Sequence, residues 1–426
     1  MTRRDEYSSG AKLHLAGQDA YLDHVVIMIV QLNWGGLPRV LFTLADEFVK
    51  RGVRVDLAVC EPGGTRVEAV PAGVRVFQLQ RSSNLATRLT ALRADPSGWR
   101  VMLKPVLLAS KPPGYMIYMR SFVEYLRAEQ PHVILSASRT LNVMAPWARK
   151  LARSHARVVL SEHTPPTPDL SDSAKWGRRF LPPLMARNYA MADAIVAVSH
   201  GVADDLARLT GLPLERIKTI YNPIVNEDLW RSTEPAPSHK WLGPDQPPVI
   251  LGAGRLVPSK DFPTLVRAFG LLRKKRNARL VILGSGKNEA ATEEMKHELL
   301  EIAREAGVSE DIDLPGFVPN PVAYMASAAL FVLSSAHEGF GNVLVEAMAV
   351  GCPVVSTDCP SGPAEILENG IWGKLTPVGD HSALSQAMLE TLDHPIDADT
   401  LRQRAMHFSA SRAADEYYRS MFVEEN

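Results

Sequence analysis

Two glutamates, Glu338 and Glu346, stand with seven residues between them in the run SSAHEGFGNVLVEAMAVGCPVVSTD. A strand is expected to end at Ser334–Ser335, and Gly339 and Gly341 let the backbone bend closely around a ligand. A helix starting near Asn342 would present free N–H groups and the positive end of its dipole, an arrangement suited to phosphate. Glu346 then falls about one turn inside that helix, where its two oxygens can accept from vicinal hydroxyls such as those of a ribose. On pattern alone, two solvated glutamates on a surface helix remain the alternative. A second cluster, GAGRLVPSKDFPTLVRAF from Gly252 to Phe269, puts Arg255 and Lys260 on one loop. Both can reach a single diphosphate, arginine through its planar fork and lysine as a point charge.

The elements that must position these groups follow from periodicity. HVVIMIVQ from His24, a glycine turn at 33–37, a helical pattern over Pro38–Arg51 and VRVDLAV from Val53 make a βαβ unit, which implies parallel pairing with a right-handed crossover. Apolar runs at 74–79, 132–138, 156–163 and 194–199 continue it. A stretch rich in Pro, Ser and charge, without periodicity, reads as a linker over 224–248. Alternation then restarts with strands at 249–254, 278–286, 312–316, 329–335 and 353–358, and helices between them. The predicted fold class is α/β: two Rossmann-like, doubly wound parallel-sheet domains facing each other across a cleft. The expected divisions are a leader at 1–22, an N-terminal domain at 23–223, the linker, and a C-terminal domain at 249–408. Residues 409–426 close the chain.

Bulk properties narrow the classes. A chain of 426 residues exceeds one ordinary core. Its 47 Lys and Arg balance 47 Asp and Glu, so nothing global argues for nucleic acid. The three cysteines, Cys60, Cys352 and Cys359, have neither metal-like nor disulfide-like spacing, which suits a reducing compartment. No apolar run approaches the roughly 20 residues that cross a bilayer, and the first residues lack the apolar core of a signal peptide. The expected location is the cytoplasm, either free or at the inner face of the membrane. The segment 100–120 interleaves Arg100, Lys104, Lys111 and Arg120 with apolar residues. That composition fits a membrane-surface element near a lipid-linked acceptor, or an ordinary amphipathic helix with a solvated basic face.

Together the two glutamates, EGFGNVLVEAMAVGCPVVSTD and GRLVPSKDFPTLVRAF resemble the retaining GT-B glycosyltransferases of group 1, including enzymes of bacterial surface glycans and lipid-linked oligosaccharides. The resemblance implies a nucleotide diphosphate sugar, with UDP the expected nucleotide, as donor and a glycan or lipid-linked acceptor. No metal or other cofactor is expected. By resemblance, Arg255 and Lys260 neutralise the diphosphate, Glu346 holds the ribose, and Glu338 lies beside the transferred sugar. Gly339, Phe340, Gly341, Asn342 and Val343 form the donor turn, and Phe317 and Val318 flank the base. Gly35 and Gly36 match a glycine loop near donor phosphate and acceptor, and His163 in SEHTPP matches a histidine aimed at the sugar. Ser361, Gly362 and Pro363 of DCPSGPAEIL would lie near the donor sugar, and the C-terminal helix would return to the N-terminal domain.

Three rivals remain. A nicotinamide dehydrogenase is disfavoured because QLNWGGLPR is not G-x-G-x-x-G. A GT-B nucleotide-sugar epimerase would release free sugar without an acceptor. A catalytically silent binding subunit would not need the full set Arg255, Lys260, Glu338, Glu346 and His163.

Overall fold

A computed structural model of the chain describes residues 24–33, 35–64, 69–170, 181–243 and 245–422. The expected leader at 1–22 lies outside the described residues. The chain divides into two compact units, one running to Pro223 and resuming at Ala410, the other spanning Ile224–Ser409.

The first unit holds seven strands: β1 (His24–Ile29), β2 (Arg54–Val59), β3 (Val74–Gln78), β4 (Val133–Ser136), β5 (Arg157–Glu162), β6 (Ala194–Ala197) and β7 (Ile217–Thr219). They lie in the order β3-β2-β1-β4-β5-β6-β7, all parallel. Val25 is aligned with Val55 on one side and Val133 on the other. β1 is apolar from Val25 to Ile29 because helices cover both faces of the sheet; Val25, Val26, Ile27 and Met28 are fully buried. The helix Gly36–Lys50 follows β1 and buries Val40, Leu41, Leu44, Ala45 and Phe48. Asp56 is one of several buried polar groups in this unit. Burial opposes its charge, but hydrogen bonds from His24, Arg75 and Tyr125 outweigh that and hold its carboxyl well below the usual carboxylate range.

The C-terminal helix Ala410–Phe422 belongs to this unit. Arg51 at the end of the first helix bonds Asp415 at 2.9 Å, and Tyr417 is buried against β5 through Ser161.

The second unit repeats the pattern with β8 (Val249–Ala253), β9 (Arg279–Leu283), β10 (Ile312–Gly316), β11 (Leu330–Leu333), β12 (Val354–Thr357) and β13 (Lys374–Thr376). Their order is β10-β9-β8-β11-β12-β13, again all parallel. Both sheets therefore reverse direction of growth beside their first strand, between β1 and β4 and between β8 and β11. Loops leaving the carboxyl ends there form the ligand crevice of an open α/β sheet. The segment 224–248 is fastened to the second unit, not strung out. Trp241 is buried, with the Lys240 ammonium 4.7 Å and the Arg279 guanidinium 5.1 Å from its ring centroid, and Trp230 donates to the Ala349 carbonyl.

The apolar residues of the segment 100–120 divide between core and surface. Met102, Val106 and Met116 are buried, on short helical turns at Trp99–Met102, Leu103–Leu107 and Gly114–Tyr118. Trp99 and Leu108 stay exposed beside the cations. Among the described residues, no helix is long and apolar enough to cross a membrane.

Candidate active site

The loops after β8 and β11 are laced together at the switch point of the second unit. Ser334 donates to the Lys260 carbonyl at 2.9 Å, and the Ala336 N–H donates to the Ser259 carbonyl at 2.9 Å. These bonds bring the Lys260 ammonium to 2.5 Å from Glu338 Oε1, which also accepts from the Ser335 hydroxyl at 2.7 Å. Both ends of the ion pair are largely shielded from water. Thr357, at the end of β12, fixes the Ser335 backbone by donating to its carbonyl at 2.6 Å. The β11 loop is thus pinned from strands on both sides.

Arg255, on the β8 loop, is exposed, and among the described residues its guanidinium has no ion pair. A cation that fills no structural role beside a shielded Lys–Glu pair suits an incoming anion.

Beyond Glu338 the chain turns through Gly339 and Phe340 to Gly341, whose φ of 99° is left-handed and favours glycine. Gly341 is the N-cap of the helix Asn342–Ala349 and has no side chain with which to cap it. The first turn thus presents backbone N–H groups and the positive dipole end, with Asn342 and Val343 half-buried. Glu346 follows one turn on, buried to 4% exposure.

Close packing holds this turn in place. Gly362, at φ 90°, lies so near Phe340 that a Cβ there would sit 1.8 Å from the Phe340 carbonyl oxygen. Ser361 is buried and Pro363 opens the short helix Pro363–Ile366. Arg404 donates to the carbonyls of Ile366 and Glu365 at 3.0 and 2.9 Å, and stacks on Phe408, which meets Phe340 edge-on at 5.5 Å. Phe317, half-exposed, and Val318 follow β10 at the same carboxyl edge of the sheet.

In the first unit, Gly35 and Gly36 lie where β1 passes into its helix, and His163 follows β5. His163 Nε2 is 2.9 Å from Ser161 Oγ, and burial of the ring pulls its pKa down to about 4, so the imidazole is neutral at pH 7.

The structure therefore brings Lys260 against Glu338, places Arg255 on the same loop, and sets the glycine turn and Glu346 directly after. It separates His163, Gly35 and Gly36 into the other unit. Sequence reasoning passed over Ser335, Thr357, Arg404, Ser161 and Tyr417, which orient the groups it did select. The Ser335–Thr357 and Ser161–Tyr417 contacts span 22 and 256 residues, and no local pattern signals them.

Comparison with known proteins fits this geometry. Residues 236–408 match the family model of glycosyl transferases group 1, and residues 34–227 match that of Glycosyltransferase Family 4. One relative is the N-acetylgalactosamine-N,N'-diacetylbacillosaminyl-diphospho-undecaprenol 4-alpha-N-acetylgalactosaminyltransferase of Campylobacter jejuni. It is 29% identical over 313 residues, covering 72% of this chain and 78% of that one. Among solved structures, Anabaena Alr3699/HepE in complex with UDP superposes with a TM-score of 0.70 at 20% identity, covering 93% of this chain and 99% of that chain. Sucrose-phosphate synthase from Thermosynechococcus elongatus gives 0.71 at 19% identity, covering 94% and 99%. Two Rossmann-like units of this topology, matched by these solved structures, define a GT-B architecture. The chain belongs to the group 1 glycosyltransferases and is an enzyme of that class.

Proposed function

We propose that the protein transfers a hexosyl or N-acetylhexosaminyl group, with retention, from a UDP-sugar to a glycan or lipid-linked acceptor in polysaccharide biosynthesis. The observation that carries the reading is Arg255, exposed and without an ion pair among the described residues, on the loop that also supplies the Lys260–Glu338 pair. The leaving group is a nucleoside diphosphate, and stabilising its growing negative charge is the largest task in the reaction. Arg255, Lys260 and the N-terminal turn at Asn342 supply that stabilisation without a metal. Lys260 is shared between Glu338 and the incoming phosphate. Glu346 accepts from the ribose hydroxyls, Phe317 and Val318 flank the base, and Gly35 and Gly36 approach the donor phosphate. Glu338 and His163 meet the sugar.

The Campylobacter relative, named for a diphospho-undecaprenol-linked acceptor, supports the lipid-linked branch of this reading, and the UDP complex of the Anabaena protein supports the nucleotide. A membrane-side acceptor also accords with the surface of the first unit. From Arg81 to Arg120 the sequence carries Arg81, Arg88, Arg93, Arg100, Lys104, Lys111 and Arg120 against one acid, Asp95. That acid is buried and neutralised by Arg187. Leu85, Leu89, Trp99 and Leu108 are exposed in the same stretch. Arg88 ties its helix to the 106–109 turn by donating to the Val106 and Ala109 carbonyls. Cations around exposed apolar side chains fit an anionic lipid surface.

Calorimetry with UDP, GDP, ADP and their sugars tests the donor assignment. UDP alone is expected to bind, with binding lost in Arg255→Ala and Glu346→Ala; no binding by any nucleotide would overturn it. Donor consumption that continues without acceptor would point to an epimerase. Loss of transfer in EDTA, restored by a divalent cation, would refute the metal-independent mechanism. Failure to sediment with anionic liposomes at low salt would remove the membrane contact.

A further inference from the structure

Tyr417 is buried, at 1% exposure, on the C-terminal helix, and its hydroxyl lies 2.8 Å from Ser161 Oγ. Ser161 Oγ in turn lies 2.9 Å from His163 Nε2. Tyr417 and Ser161 are buried and His163 is partly buried, so the tyrosine and serine protons must be matched within this chain of groups, since an unused donor away from water is costly. Among the described residues the Tyr417 proton has one acceptor, Ser161 Oγ. A serine hydroxyl that accepts from tyrosine still has its own proton to give, and among the described residues His163 Nε2 is its other hydrogen-bond partner. Nε2 must then carry no proton. The reverse order, with Nε2–H donating to Ser161 and Ser161 to Tyr417, strands the tyrosine proton.

We propose that Tyr417, acting through Ser161, fixes His163 as the Nδ1–H tautomer, so that the histidine serves the bound sugar as a hydrogen-bond donor and not as a base. This rests on the reading of His163 as a donor-site residue. Tyr417 and Ser161 are positioning residues. Their effect reaches the site through the identity of the ring nitrogen that holds the proton. The C-terminal helix thereby has a role in the chemistry of the first unit beyond packing. Burial keeps His163 neutral at pH 7, the condition under which a tautomer choice exists.

The test is long-range 1H–15N NMR on the full-length protein labelled with 15N-histidine, near pH 7. Wild type is expected to show His163 protonated at Nδ1. Tyr417→Phe is expected to shift His163 toward a mixture of tautomers, and Ser161→Ala provides a second variant should Tyr417→Phe fold poorly. Transfer in these variants falls by about five- to tenfold, the loss of one hydrogen bond of ordinary net strength. His163→Asn, whose amide nitrogen stands near the Nδ1 position, retains more transfer activity than His163→Gln, whose amide nitrogen stands near Nε2. A wild-type Nε2–H signal, or a tautomer unmoved in both variants, overturns the proposal. If the tautomer behaves as expected while His163→Ala leaves transfer intact, the relay stands and the placement of His163 in the donor site fails.

Discussion

Lys260 Nζ and Glu338 Oε1 lie 2.5 Å apart, joining the loops after the first and fourth strands of the second sheet. The lysine holds the Glu338 carboxylate in place, and in the proposed function it also serves as a cation for the donor. Arg255, five positions earlier, is exposed and carries no such structural load.

This difference separates two mutants. Arg255→Ala should leave the thermal midpoint of the free protein unchanged while weakening UDP by about tenfold or more, the worth of one charge-assisted hydrogen bond. Lys260→Met should weaken UDP similarly and also destabilise the free protein by about 2 kcal/mol, because Glu338 is left shielded and without its partner. Lys260→Met with Glu338→Gln should recover most of that stability but not the affinity. Calorimetry and thermal melts of the three variants check this. Equal melting losses for Arg255→Ala and Lys260→Met would contradict the division of roles.

Gly362 offers a steric test. Its φ of 90° and the 1.8 Å approach of a notional Cβ to the Phe340 carbonyl leave no room for alanine unless the backbone moves. Gly362→Ala should lower the melting temperature by about 5 °C and shift the donor turn, raising the donor KM. A melting temperature within about a degree of wild type would mean that the turn adapts freely.

Arg404 supports the same turn from behind. It is buried, serves the carbonyls of Glu365 and Ile366, pairs with Glu368 at 2.7 Å and stacks on Phe408. Arg404→Leu leaves those carbonyls without their donor and should cost about 2–3 kcal/mol. The donor KM should rise more than kcat falls, since Arg404 acts on the turn through Phe408 and Phe340. Steady-state kinetics with a saturating acceptor reads the split.

How far the sequence reaches depends on whether a feature is local. β1 is evident because Val25 to Met28 are buried on both faces and must all be apolar. The edge strands β7, Ile217–Thr219, and β13, Lys374–Thr376, are three residues long and partly polar, so periodicity has nothing to act on. Glu338, Gly341 and Glu346 stand out because one strand–turn–helix contains them all. Ser335 looks like any loop serine until Thr357 and Glu338 are seen to hold it, and Tyr417 looks like one face of a terminal helix. In the segment 100–120 the interleaving of cations and apolar residues does not tell which apolar side chains turn inward: Met102, Val106 and Met116 are buried, whereas Leu108 and the adjoining Trp99 are exposed.

The neutral His163 ring makes stability depend on acid. Its pKa lies at about 4 in the fold, against an ordinary value of 6.5. Above pH 6.5 the ring is uncharged in folded and unfolded chains alike, and it contributes no pH dependence. As pH falls from 6.5 toward 4, the unfolded chain binds a proton that the folded chain refuses, so stability is lost across that window. The loss is at most about 3–4 kcal/mol, since each tenfold difference in proton affinity is worth about 1.4 kcal/mol. His163→Asn removes this contribution while keeping the carboxylate titrations that act on both proteins. The stability of wild type minus that of His163→Asn, from urea melts at about pH 7.5, 6 and 4.5, should therefore decline steadily toward acid. A difference that stays flat would show a ring that titrates as it does in water, and the neutral histidine on which the relay from Tyr417 depends would be lost with it.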